Sequence, residues 1–312
     1  MLNLVESITT IPCATALEAQ VRELRLINER QPTYNRRSKR QDRAVWLTLT
    51  DETFPRLSIV RGAESLRDER GWMGPFASRL EAEEVVLAIY ESQAIRQCTL
   101  RITTRSQAHG STCALFDMGR CGAPCTGVQS QDNYAQIVAQ TRTLMRIDSA
   151  PVLKQLDAKM AAFSAEQRYE EAALIRNRRT ALHRAASRGS RIRSLTKVAH
   201  LVAGRRTFDG GWEFICVRYG RLTGSAVCAP GFDPEPTIEA LVMTAEVLVE
   251  RDQVLPHSSH EECERILDWL EIAGTQLFDL DGLWTSPVNG SAVPRQSTEG
   301  AVAGLLDAQR LR

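Results

Sequence analysis

Four cysteines stand in one stretch of this chain, Cys98, Cys113, Cys121 and Cys125, with the spacing C-x14-C-x7-C-x3-C. Thiolates ligate tetrahedral zinc and iron–sulfur clusters, and four of them complete either kind of site. Structural zinc sites usually take their ligands as two tight knuckles. Only Cys121 and Cys125 form a tight pair here, which shifts weight toward an iron–sulfur cluster and keeps zinc as the alternative. Gly119, Gly122 and Gly127 allow the backbone to turn and bring amide N–H groups toward the sulfurs. Cys13, Cys216, Cys228 and Cys263 are scattered and read as buried small apolar residues.

Such a site needs a scaffold, and the 312-residue chain is long enough for one large core or several small ones. With 43% hydrophobic and 25% charged residues, its composition is that of an ordinary globular protein. No apolar run approaches the roughly 20 residues of a membrane span, and "MLNLVESITT" lacks the basic start and apolar block of a signal peptide. The expectation is a cytoplasmic protein, where clustered thiols hold metal or do chemistry rather than form disulfides. The net charge of +1 conceals an asymmetry. Residues 21–43 carry eight Arg or Lys against three acids, 168–197 carry nine against two, and 230–284 carry thirteen acids against two arginines. Basic runs of this kind attract phosphate backbones or are solvated faces.

The pattern divides the chain into an α+β, multidomain protein. "TALEAQVRELRLINER" spaces Leu17, Val21, Leu24 and Ile27 as an amphipathic helix that Pro32 ends. "AVWLTLT" and "FPRLSIVRG" predict a hairpin, and "WMGPFAS" breaks the pattern. "RLEAEEVVLAIYESQAI" and "DNYAQIVAQTRTLMRI" predict helices on either side of the cysteine stretch, and residues 152–167 and 169–187 a helical hairpin. From Ser194 three strands, helices at 237–250 and 260–273 and the run "QLFDLDG" make a small α/β domain, with Asp279 and Asp281 read as a turn. The expected divisions are 1–76, a partial nuclease-like domain with the hairpin; 77–148, the cysteine-rich helical region; 149–190, the helical hairpin; 194–290, the small domain; and 291–312, a flexible tail.

Three long motifs in order carry a resemblance. "CALFDMGRCGAPCTG", preceded by "MGPF" and followed by "YAQIV", resembles the linker of the UvrC excinuclease family, which includes shorter Cho-like homologues. "LEAQVRELRLINERQPTYNRR" resembles the end of that family's GIY-YIG nuclease domain, and "LKQLDAKMAAFSAEQRYEEAALIRNRRTAL" its UVR hairpin. The resemblance covers about residues 1–190. It implies a [4Fe–4S] cluster on Cys98, Cys113, Cys121 and Cys125. It places Glu23 at the position of a Mg²⁺ or Mn²⁺ ligand and Asn35 beside it; the basic run, not the resemblance, makes Arg36, Arg37, Lys39 and Arg40 the expected contacts to double-stranded DNA. Phe163, Tyr169, Ala172 and Ala173 become the seam that pairs with the excinuclease B subunit or another like hairpin.

The GIY-like and YIG-like strands and the arginine helix of that nuclease do not precede "TTIPCATALEAQ". One glutamate cannot polarise a phosphate, activate water and stabilise developing charge together. The expectation is a DNA-repair protein with an incomplete nuclease site, read either as a short product or as the second half of an exonuclease/GIY-YIG fusion. The rival is a metal-stabilised nucleic-acid or protein-binding adaptor that cuts nothing. No convincing acidic triad marks residues 195–290.

Overall fold

The computed structural model describes residues 7–35, 43–103, 111–251, 253–255 and 257–284. Helix α1 (Ala16–Arg30) starts where the Thr15 hydroxyl accepts from the Glu18 amide and stops at Gln31, which adopts a left-handed conformation. It buries Leu17, Val21, Leu24 and Ile27, the stripe its spacing predicts.

Strands β1 (Val45–Leu49) and β2 (Leu57–Arg61) form the expected antiparallel hairpin. The "WMGPF" run does not break the fold: it is strand β3 (Trp72–Phe76), antiparallel to β1, in a sheet ordered β2-β1-β3. A glycine and a proline are tolerated because β3 lies at an edge, where a missing ladder donor costs little. Helix α2 (Arg79–Tyr90) follows, shorter than its sequence pattern, and then the cysteine stretch with the one-turn helix α3 (Ala114–Asp117). Helices α4 (Gln131–Arg146), α5 (Ala150–Ala165) and α6 (Tyr169–Thr196) complete this half. One core unites Leu47 and Met73 of the sheet with Val85 of α2, Tyr134 of α4, Leu156 of α5 and Leu182 of α6.

The second sheet holds β4 (His200–Arg206), β5 (Trp212–Arg218), β6 (Arg221–Cys228) and β7 (Gln276–Asp281), ordered β6-β5-β4-β7 and antiparallel throughout. Helices α7 (Glu235–Thr244) and α8 (His260–Leu270) come between β6 and β7 in the chain. The "FDLDG" run is therefore strand rather than turn: Asp279 pairs with Val202 and Asp281 with His200. Carboxylates on an edge strand discourage pairing with another chain. The first helix of this part ends at Thr244, short of the expected 250.

Helix α6 runs past the expected hairpin into the second half. Its Leu182 and Ala185 belong to the first core, and its Ile192 and Leu195 to a second core with Trp46, Trp72, Leu201 and Ile266. Cys216, Cys228 and Cys263 are buried as read from the sequence, whereas Cys13 is only half-buried. Among the described residues, no helix is long and apolar enough to cross a membrane.

Candidate metal centre and its scaffold

Residues 113–127 fold as a chain of tight reversals. Cys113 caps α3, Gly119 turns the chain at φ 68°, and Ala123 (φ 54°) and Gly127 (φ 78°) bracket a 3₁₀ turn containing Cys125. Left-handed backbone is natural for glycine and costly for alanine, so Ala123 is a strained position. Its backbone favours the ionised form of the Cys121 sulfur, against the upward push of burial. A side chain at Gly122 would collide with the Gln129 amide, which fills the space where a Cβ would stand.

Cys98 is held from the other side by a side chain that the sequence did not mark. Arg96 is fully buried, and its guanidinium donates to the carbonyls of Phe54 (2.6 Å), Cys98 (2.9 Å) and Leu100 (2.6 Å) and to Glu52 (2.5 Å). A buried guanidinium is tolerable only when its donors are met in this way. Its Nη1 also lies 3.7 Å from the Cys98 sulfur. Tyr134 of α4 joins the same scaffold, donating to the Pro55 carbonyl at 2.6 Å and accepting from the Arg96 amide at 3.2 Å. Burial raises the Tyr134 hydroxyl well above the ordinary tyrosine range, so it remains a donor.

Cys98, Cys113 and Cys125 each bear on the ionisation of Cys121. Burial pushes the Cys121 thiol up, and charge on Cys98, Cys113 or Cys125 pushes it further, against the lowering by the Ala123 amide. As the side chains stand, no group of three His, Cys, Asp or Glu among the described residues converges tightly enough to hold a metal ion. In kind the four cysteines, none of them in a disulfide, are donors that suit a four-thiolate metal group.

Glu23 lies on the exposed side of α1. It lines a shallow groove of about 330 Å³ with Arg22, Arg30 and Pro32. Arg22 pairs with Glu18 (2.9 Å), not with Glu23. Asn35 is half-buried, its amide donating to the Pro32 carbonyl at 3.3 Å. Arg36, Arg37, Lys39 and Arg40, and the expected tail at 291–312, lie outside the described residues.

The arginines of α6, which the sequence leaves as either a phosphate-attracting run or a solvated face, are largely spent inside the molecule. Arg178 pairs with Glu91, Arg179 with Asp157, Arg188 with Glu264, and Arg191 with Asp268 and Glu271. Arg193 and Lys197 converge on Asp68, at 3.2 and 3.0 Å, where Arg146 (2.9 Å) and the Trp72 indole N–H (3.1 Å) also donate. These donors outweigh the upward push of burial and hold the Asp68 carboxyl down to about 2. Of the α6 arginines, only Arg176 and Arg184 are exposed. At the hairpin tip Tyr169 is exposed, Phe163 lies half-covered under the Arg168 guanidinium (4.4 Å to the ring centroid), Ala173 is half-buried, and Ala172 is buried.

With this geometry in place, comparison with known proteins defines the class. The UvrC/Cho excinuclease middle domain matches residues 44–144, and the UvrB/UvrC motif matches residues 152–185. The chain belongs to the UvrC/Cho excinuclease family. Among its relatives, a Mycobacterium tuberculosis protein described as a putative bifunctional exonuclease/endonuclease is 33% identical over 93% of this chain and 45% of its own length. UvrABC system protein C of Chlorobium phaeobacteroides is 27% identical over 72% of this chain and 36% of its own, and that of Salinispora arenicola 29% over 72% and 34%. The chain thus spans less than half the length of these relatives. No solved structure matches it.

Proposed function

We propose that this chain is the cluster-bearing, DNA-engaging part of a UvrC-related excision-repair nuclease, with Cys98, Cys113, Cys121 and Cys125 holding a [4Fe–4S] cluster. The observation that supports this reading is that all four cysteines lie inside the segment that matches the UvrC middle domain and that none of them is in a disulfide. Four mutually repelling thiolates need a positive centre, and a cluster supplies it when bound, cross-linking the 98–125 segment. The chain's own residues do the rest. Arg96 holds the Cys98 carbonyl, and Tyr134 ties the Arg96 backbone to Pro55, just before β2.

In this reading Arg36, Arg37, Lys39 and Arg40 contact duplex DNA through its phosphates. The hairpin tip, with Phe163, Tyr169 and Ala173, docks on a like hairpin of the excinuclease B subunit. Glu23 and Asn35 contribute to a Mg²⁺- or Mn²⁺-dependent site that these two residues do not complete, because phosphodiester cleavage also needs an activated water and cations on the developing charge.

Two assays test the reading. Duplex binding by the chain should weaken steeply with salt, and reversing charge at Arg36, Arg37 and Arg40 should flatten the slope by about 0.9 for each phosphate no longer neutralised. The chain alone, with Glu23→Gln as control, should show no metal-dependent nicking. Salt-insensitive binding contradicts the DNA reading, and nicking that disappears in Glu23→Gln contradicts the incomplete site.

A further inference from the structure

Helix α7 is held lightly on the second sheet, with Leu241 its only buried residue. Its C-terminal end is tied down by Arg218 of β5, which donates to the carbonyls of Glu246 (2.8 Å), Ala245 (3.3 Å) and Val242 (3.5 Å). Carbonyls at a helix C-terminus lack intrahelical donors, and a guanidinium placed there meets them. The Nε of Arg218 is held in turn by His200 of β4, to whose Nδ1 it donates at 3.2 Å. A guanidinium can only donate, so Nδ1 carries the lone pair and the ring proton sits on Nε2. On the other side of the ring, the Asp279 carboxylate of β7 lies 3.4 Å from Nε2 without an aligned hydrogen bond, and Asp281 pairs opposite His200. The Cys216 sulfur of β5 is 3.8 Å from Nδ1. Burial pushes the imidazole below its ordinary value of 6.5, Asp279 and Asp281 pull it up, and Arg218 pushes it down.

We propose that His200 is a pH-sensitive clasp on helix α7: neutral, it positions Arg218 on the helix's last carbonyls, and protonated, it releases Arg218 and turns to Asp279. The second proton goes to Nδ1, which changes from acceptor to donor and sets a cation against the guanidinium. Arg218 then loses its anchor, and the last turn of α7 frays. Because the folded protein favours the neutral ring, the clasp is closed above about pH 6.5 and opens as the pH falls below that value toward the lowered one. Glu246 keeps its own ties, its amide to the Thr223 carbonyl (3.1 Å) and its carboxylate to Arg221 (2.9 Å), so the opening is confined to the turn before it.

The test is amide hydrogen exchange of the whole chain from about pH 7.5 to about pH 5, the span over which a histidine titrates, expressed as protection factors, with the His200 ring followed in parallel by NMR. Protection of the Ala245 amide, bonded to the Leu241 carbonyl, should fall about tenfold with the midpoint of the His200 titration, as loss of one hydrogen bond does. The Glu246 amide should stay protected. His200→Gln, whose side-chain carbonyl accepts from Arg218 at every pH, should keep Ala245 protected throughout. Asp279→Asn should move the ring titration and the loss of protection together to lower pH, which decides the matter should His200→Gln fail to fold. His257 donates to the Val249 carbonyl at 2.7 Å in either protonation state, so His257→Gln should leave the step in place. Protection at Ala245 that is unchanged while His200 titrates, a step that survives in His200→Gln, or one that disappears in His257→Gln overturns the proposal.

Discussion

The molecule contains two clusters of ionisable side chains that solve opposite problems. At Asp68 one carboxylate meets Arg146, Arg193, Lys197 and an indole N–H, so its charge is satisfied several times over. At the cysteines, one buried cation, Arg96, lies 3.7 Å from the Cys98 sulfur, and its other donors go to carbonyls and to Glu52. The first cluster is complete in side chains, and the second is not. An electrostatic cluster closed by its own residues acts as a latch between elements, while the proposed metal group would supply the positive charge that the cysteines lack.

The largest effect that could break this contrast comes from the cysteines themselves. Cys121→Ala should abolish metal retention and loosen residues 95–127 together, because metal binding there is folding free energy. Hydrogen exchange should show protection lost in that segment and retained in β4 to β6. Next, Arg96→Met removes a fully buried cation, strands three carbonyls and leaves Glu52 only its ion pair with Arg56. It should cost about 3–5 kcal/mol in urea unfolding and lower metal occupancy as well. Asp68→Ala should cost about 3 kcal/mol, because Arg193 stays largely buried without its partner, and should leave metal content unchanged.

The Asp68 latch also has a pH signature. Its carboxyl titrates near 2 when folded against 3.8 unfolded. The stability it contributes is therefore fully present above about pH 4 and is lost as pH falls through about 2, a change of about 2 kcal/mol. Acid unfolding of the parent should be steeper in that window than that of Asp68→Asn. Smallest of all, Tyr134→Phe should cost about 1–2 kcal/mol, since it removes one donated and one accepted hydrogen bond while keeping the ring against Phe54.

The contrast also explains what was legible in the sequence. The periodic stripes of α1 and α4, the hairpin and the cysteine spacing are local patterns, and the helices and the hairpin stand where those patterns put them. The "WMGPF" strand was hidden because glycine and proline signal a break unless the strand lies at an edge, which is a tertiary fact. "FDLDG" misled in the same way, through an Asp-Gly pair that closes an edge strand. Neither Arg96 nor Asp68 stood out, because their partners are distant in sequence: Glu52 lies 44 residues from Arg96, and Arg193 lies 125 from Asp68. The basic run of α6 misled most, since net charge does not reveal that Arg178, Arg179, Arg188, Arg191 and Arg193 are already paired.

The central claim is that the four thiols hold an iron–sulfur cluster, and the most direct test is the iron and acid-labile sulfide content of protein purified without oxygen. The account predicts a brown protein with about four irons and four sulfides per chain, and a colourless, iron-free Cys121→Ala. A colourless parent carrying one tightly bound zinc, or no metal at all, would contradict it.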